Sequence, residues 1–252
     1  MKTYVYSAAG GNLTAIVTDS ISRDQYPEIN TEIQEDKSIE QVGFKEEKDG
    51  LPALQMAGGE FCGNATRSFA CLLKETNPDD SNFNFWVSGF SQIVSASVEK
   101  IEENIFFCEA RLPGLANVGT VREEELDGKS VKIVDLGGII HILVDENEFP
   151  FSEDDFTGSM KAIKDKLGVD CDAVGVVWFK KDGEKVQMKP VVWVKAIDTC
   201  YYETSCGSGS ISVAMAFEKD TEVIQPSGKE IKVAFDNDTI ILSSEMEKIQ
   251  EK

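Results

Sequence analysis

A chain of 252 residues with 41% hydrophobic content is long enough for one large domain or for two lobes with real cores. A net charge of −20, with no stripe of lysine and arginine, excludes nucleic acid and anionic membrane surfaces as expected partners. No apolar run approaches the roughly 20 residues that span a bilayer, and the opening Met1-Lys2-Thr3-Tyr4-Val5-Tyr6 alternates like a strand instead of forming a signal-peptide core. A cytoplasmic location, where thiols stay reduced, is therefore expected.

In chain order, the Gly10-Gly11 turn leads into a strand that reads as buried up to Asp19. Residues 30–38 are polar and charged and predict a surface loop. Val42-Gly43-Phe44-Lys45 then runs to Lys48-Asp49-Gly50, a pattern that predicts a hairpin, with Gln55-Met56 on the returning strand. Next comes Glu60-Phe61-Cys62-Gly63-Asn64-Ala65-Thr66, followed by a helix whose apolar face is Phe69, Leu72 and Leu73. A strand, a Ser88-Gly89 turn and another strand follow. Residues 112–130 hold Pro and Gly and then acids, and predict a boundary.

Beyond that boundary the same order recurs. Gly137-Gly138 precedes the apolar run Ile139-Ile140-His141-Ile142-Leu143-Val144. Val174-Gly175 and Lys181-Asp182-Gly183 predict a second hairpin, with Gln187-Met188 on its returning strand. Glu203-Thr204-Ser205-Cys206-Gly207-Ser208-Gly209-Ser210 opens a second helix, apolar on more than one side through Ile211, Val213, Ala214, Met215 and Phe217. A strand, Ser227-Gly228 and a strand close the series. The charged end, residues 243–252, is expected either to fray or to pack back on the first lobe. Five features in one order predict an α+β protein of two homologous lobes, 1–118 carrying Cys62 and 119–252 carrying Cys206. Each lobe is expected to be a strand-rich sheet wrapped on a central helix, with the active site in the cleft between them.

Six cysteines without a Cys-x-x-Cys spacing, and His141 as the only histidine, argue against a metal site. Cys71, Cys108, Cys171 and Cys200 read as small buried hydrophobes. Cys62 and Cys206 stand apart through their matching contexts. A helix N-terminus favours the thiolate, so both are expected to ionise more easily than a free thiol. Inverting an α-carbon requires one group to remove a proton from one face and another to return one to the opposite face, and two cysteines across a cleft meet that demand. The small residues behind each would let backbone N–H groups reach a substrate carboxylate.

These turns resemble those of the cofactor-independent amino-acid racemases and epimerases of the diaminopimelate epimerase fold, in Cys62-Gly63-Asn64-Ala65-Thr66-Arg67 and Cys206-Gly207-Ser208-Gly209. Gly11-Asn12 and Val87-Ser88-Gly89 match further family segments. Glu60-Phe61-Cys62-Gly63-Asn64-Ala65-Thr66, Glu40-Gln41-Val42-Gly43-Phe44 and Ser205-Cys206-Gly207-Ser208-Gly209 are similar to segments of its histidine racemases of opine-metallophore synthesis. The resemblance implies no cofactor, a small-molecule amino-acid substrate and a homodimer. It implies Cys62 and Cys206 as catalytic residues, with Asn12, Gly63, Asn64, Gly207, Ser208, Glu203 and His141 on the substrate side. Diaminopimelate epimerases carry Asn-Pro-His where this chain has Ile139-Ile140-His141, and Glu-Arg where it has Asp198-Thr199-Cys200-Tyr201-Tyr202 before Glu203. With only Arg23, Arg67, Arg111 and Arg122 in the chain, no clamp for a second carboxylate is evident. That favours a monocarboxylate substrate held beside Tyr201 or Tyr202, over diaminopimelate.

The residues alone leave alternatives to these roles and to this function. His141 fits a satisfied core position as well as a catalytic one, and Arg67 reads as a structural charge on its helix. The rival functions are a thiol hydrolase, which leaves the second cysteine turn unexplained, and a small-molecule binding protein with the same cleft.

Overall fold

The two expected hairpins form, with different turns. In a computed structural model of the chain, which describes residues 1–195 and 199–251, β3 (Ile39–Lys48) pairs with β4 (Leu51–Met56) through Asp49-Gly50, both at positive φ. β11 (Ala173–Asp182) pairs with β12 (Lys185–Val194) through Gly183-Glu184, where only the glycine is at positive φ. The first is the I′ arrangement and the second the II′, so the second Asp-Gly pair straddles the strand end instead of forming the turn. Asp198, in the run before Glu203, and Lys252, in the tail, lie outside the described residues.

The remaining strands of the first half are β1 (Thr3–Ala8), β2 (Gly11–Val17), β5 (Asn82–Val87), β6 (Val94–Lys100) and β7 (Ile105–Leu112). Those of the second are β8 (Thr120–Leu126), β9 (Lys129–Asp135), β10 (Ile140–Asp145), β13 (Thr199–Tyr202), β14 (Thr221–Ile224), β15 (Glu230–Asp236) and β16 (Thr239–Glu251). Helices are few: α1 (Tyr26–Ile33), α2 (Gly63–Thr76), α3 (Leu115–Val118), α4 (Phe156–Lys166) and α5 (Gly207–Phe217). The fold is α+β and rich in sheet. No helix among the described residues is long and apolar enough to cross a membrane.

One sheet path runs β1 to β7 in order, then β16, β15, β14, β12, β11, β10, β9 and β8. β16 pairs with β7 and also with β1, so β1–β7 and β16 close a ring. The charged tail therefore does not fray. Its residues up to Glu251 are strand, and Ser244 and Met246 are buried in it. Charge alone misleads there, because alternation sends every second side chain inward.

Within the ring α2 packs against β1, β2, β3, β5, β6, β7 and β16, while α5 packs against β9, β10, β14, β15 and β16. A single apolar core takes in both helices. Smaller cores lie where α4 covers strands such as β10 and β11 through Met160 and Ile163, and where α1 covers β2 and β3. Residues 30–33, expected in a loop, belong to α1; exposed turn residues follow at 35–38.

Candidate active site

Both cysteines are helix N-caps in extended backbone conformation. Cys62 sits at φ −129°, ψ 111° ahead of α2, and its sulfur accepts the Ala65 N–H at 3.3 Å. Cys206 sits at φ −136°, ψ 108° ahead of α5 and accepts the Gly209 N–H at 3.3 Å. Each thus occupies the place of a capping serine or aspartate, satisfying a backbone donor that the helix cannot. The likeness continues down the helices. Thr66 Oγ1 and Ser210 Oγ each donate to the carbonyl of their cysteine at 2.7 Å, and Ser68 and Ser212 each donate four residues back at 3.0 Å.

The two helices meet at their first residues. A Cβ on Gly63 would lie 3.2 Å from Gly207 Cα, and one on Gly207 would lie 3.1 Å from Gly63 Cα. Glycine at both positions lets two positive helix ends converge on one place. Asn64 Nδ2 locks the contact by donating to the Ser205 carbonyl at 2.8 Å. Arg67 lies behind it, 0% exposed, donating from Nε to Gly63 O at 3.1 Å and from Nη2 to Asn64 Oδ1 at 2.6 Å, and also reaching Ser244 Oγ. Burial holds its pKa down, to about 10.

These bonds correct the sequence reading of α2 as a helix with one apolar face. Every residue from Gly63 to Leu73 is buried, because the polar ones satisfy themselves on nearby backbone.

Cys62 and Cys206 both line a cavity of about 50 Å³, together with Gly63, Asn64, Gly207, Ser208 and Glu203 from the expected set. Asn12 and His141 are not on its wall. Asn12, at φ 40°, accepts the Thr204 and Ser205 N–H groups on Oδ1 at 2.8 and 3.1 Å, holding the second cysteine turn against the first half. His141 lies behind Ser208, with Nε2 2.9 Å from Ser208 Oγ. Ile139, two residues earlier, is the residue of that run that reaches the cavity. Tyr201 lines it too, whereas Tyr202 packs on Phe151 and Phe156.

Residues given no role from the sequence complete the wall. Gln41 Oε1 accepts from the Cys62 thiol at 3.0 Å and from Thr14 Oγ1 at 3.2 Å, and Gln41 Nε2 donates to Glu203 Oε1 at 3.2 Å. Glu40 and Asn30 also line the cavity. The signal for Gln41 and Glu40 was present in Glu40-Gln41-Val42-Gly43-Phe44, a recognisable segment without an assigned task.

Three carboxyls therefore share the site, Glu203 buried and Glu40 and Glu60 half-buried. Burial raises Glu40 to about 8, with the Glu203 charge adding to it. It raises Glu203 to about 7 against hydrogen bonds from Cys206, Gln41 and Asn12, and it raises Glu60 as well. Glu40 Oε2 and Glu60 Oε2 have no hydrogen-bond partner among the described residues. Both thiols are shifted upward, contrary to the expectation of easy ionisation. Burial pushes Cys62 up to about 12, and burial and then the Glu203 charge hold Cys206 above the ordinary thiol range. The helix N-termini oppose this, and desolvation among carboxylates outweighs them. Chemically, the cavity has a positive pole at the helix starts for an anion, and a negative pole at the glutamates for a cation.

The family model of the histidine racemase CntK N-terminal domain matches residues 3–247 of this chain. A histidine racemase of Fusobacterium nucleatum subsp. nucleatum is 31% identical over 256 residues, covering 96% of this chain and 92% of that protein. Among solved structures, a predicted epimerase from Pseudomonas aeruginosa superposes with a TM-score of 0.69 at 12% identity, covering 100% of this chain and 98% of that one. A phenazine biosynthesis protein of the PhzF family from Enterococcus faecalis gives 0.65 at 13% identity, covering 99% and 97%. At such identities these two likenesses carry the fold alone, a strand-rich α+β fold of the PhzF kind. By the length of the family match and the identity to its Fusobacterium relative, this chain belongs to the histidine racemase family.

Proposed function

We propose that the protein inverts the α-carbon of histidine without a cofactor, using Cys62 and Cys206 as the two proton-transfer groups. The observation that carries this reading is the pair of cysteine N-caps on helices whose first glycines touch, both opening on one cavity. The substrate carboxylate sits at the helix starts, where free N–H groups and two dipole ends favour it and stabilise the charge that develops when the α-proton leaves. Its ammonium and imidazole groups face Glu40, Glu60 and Glu203, supplying donors to one oxygen each of Glu40 and Glu60 that otherwise has none.

Binding also prepares the sulfurs. The glutamate charges help to hold both thiols up, and a bound cation offsets those charges, so the thiolate becomes accessible once substrate is present. Gln41 joins the two halves of the site by contacting the Cys62 thiol and the Glu203 carboxylate. One thiolate takes the α-proton while the opposite thiol delivers another, and reversal exchanges their roles. The proposal includes two diaminopimelate epimerase-like lobes divided at 118/119, with β16 crossing back, a homodimer, and a cytoplasmic location.

Incubation in deuterated water tests it. Histidine should gain deuterium at Cα as the enantiomers interconvert, followed by chiral chromatography and mass spectrometry, and faster than diaminopimelate under matched conditions. Exchange and inversion absent from histidine would sink the substrate assignment. Binding without exchange of any amino acid would make the protein a binding module.

A further inference from the structure

We infer that His141 is a positioning residue: its Nε2–H donates to Ser208 Oγ, which turns the single hydroxyl proton of Ser208 toward the sulfur of Cys206. His141 lies on β10, 0% exposed, with Nε2 2.9 Å from Ser208 Oγ. Ser208 Oγ is in turn 3.6 Å from Cys206 Sγ. The other ring nitrogen decides the direction of the chain. Nδ1 has no hydrogen-bond partner among the described residues, and it abuts Gly175 on β11, where an added Cβ would lie 2.2 Å from it.

A neutral imidazole carries one proton. On Nδ1 that proton would be a buried donor facing a glycine Cα, and orphaned buried donors are rarer and costlier than a bare acceptor lone pair. The proton therefore belongs on Nε2. Ser208 Oγ then accepts from histidine and keeps its own O–H free, and the Cys206 sulfur is the acceptor within reach. The opposite tautomer would draw the hydroxyl proton away from sulfur. Nothing charged competes, because burial is the one influence on the ring; it pushes the imidazole down to about 3 and keeps it neutral over the working range. The first cysteine turn has no such chain. Asn64 occupies the place of Ser208 there, and its amide donates to a backbone carbonyl instead.

The inference rests on the proposed two-thiol reading only in taking Cys206 to act as a thiolate, and its tests do not use turnover. His141 is the only histidine of the chain, so nitrogen-15 histidine labelling gives one imidazole in the NMR spectrum. Nε2 should be protonated and Nδ1 bare, without titration between about pH 5 and 9. An Nδ1–H tautomer, or a titration in that window, overturns the inference. Iodoacetamide labelling, read by mass spectrometry of the two cysteine peptides, supplies the second arm. His141→Leu and Ser208→Ala should each slow labelling of Cys206 about tenfold at a fixed pH, the loss of one hydrogen bond to a thiolate. Cys62 should stay within about twofold. His141→Gln, which keeps an N–H at similar reach, should restore most of the rate. An equal fall at both cysteines, or none at Cys206, contradicts the inference. Should His141→Leu not fold, Ser208→Ala and the tautomer decide the matter. Loss of activity in cysteine variants bears on the proposed function and leaves these readouts unchanged.

Discussion

The two cysteine turns share a backbone and differ in the side chains packed around the sulfur. Each has the same cap angles within a few degrees, the same sulfur-to-amide contact and the same two hydroxyls bonded back along the helix. Around Cys62 stand Gln41, Asn64 and the buried Arg67; around Cys206 stand Glu203, Ser208 and, behind it, His141. At the position five residues past the cysteine the first helix carries Arg67 and the second Ile211, both 0% exposed. The lesson is a division of labour. The helix start fixes where a sulfur sits, and the side chains packed around it decide how readily that sulfur gives up its proton.

The strongest test of that comparison removes the sulfurs in turn. Cys62→Ser and Cys206→Ser should each lower the rate of histidine inversion by about 10²–10⁴, the usual cost of one positioned proton-transfer group. The two losses should be of the same order, because each inversion uses both faces. A near-parental rate in either variant, measured by chiral chromatography, would remove the second base from the mechanism.

Next in size is a stability effect at Glu203. Glu203 is raised from 4.5 to about 7 by burial. Below about pH 4.5 it is protonated whether the chain is folded or not, and burying it carries no charge penalty. As pH rises toward and through 7 the folded state must hold an ion that the unfolded chain would leave in water, so that stability is lost, by about 3 kcal/mol in full. Glu203→Gln keeps the neutral shape. Its urea-derived stability should match the parent near pH 4.5 and exceed it increasingly toward pH 8. A gap that does not change with pH would show that Glu203 is charged or solvated throughout.

The contact between the helix starts should cost less to disturb. Gly63→Ala and Gly207→Ala each force a Cβ to within 3.0–3.2 Å of a neighbour, an overpacking cost of about 1–3 kcal/mol. Both should fall in that range, and thermal denaturation would tell. Smallest of all, Ser68→Ala and Ser212→Ala remove matched back-bonds and add a better helix former. Each should shift stability by no more than about 0.5 kcal/mol, and equally. A large difference between them would mean that the two helices are less alike in energy than in geometry.

Much of this was legible from local signals. Asp-Gly pairs marked both hairpins, Ser-Gly pairs marked both late turns, and the cysteine contexts marked both helix starts; each signal acts within a few residues. The missed features depend on distant ones. Gln41 meets Cys62 across 21 positions, and Glu203 across 162, and no pattern inside its own strand announces either contact. Helix α1 escaped notice because it buries only Tyr26 and Asn30, and α4 because it buries only Met160 and Ile163, too few for a visible period. His141 sat in an apolar strand whose alternation left two faces open. Its neighbour Gly175 lies on another strand, and that pairing chose the face. The raised thiols follow first from burial and then from the Glu203 charge, properties of the assembled site.

The pairing of β16 with both β1 and β7 has a consequence for how the chain comes into being. During synthesis, β1 to β7 and α2 leave the ribosome well before residues 239–251 exist. Until then the row of N–H and C=O groups on each of β1 and β7 lacks its neighbour, and α2 lacks the strand that carries Leu242 and Met246, both buried in the core around it. Open strand edges of that kind invite pairing with other chains. The first half is thus the earliest part made and among the last to be sealed, which places the period of greatest aggregation risk between the appearance of β7 and the arrival of β16.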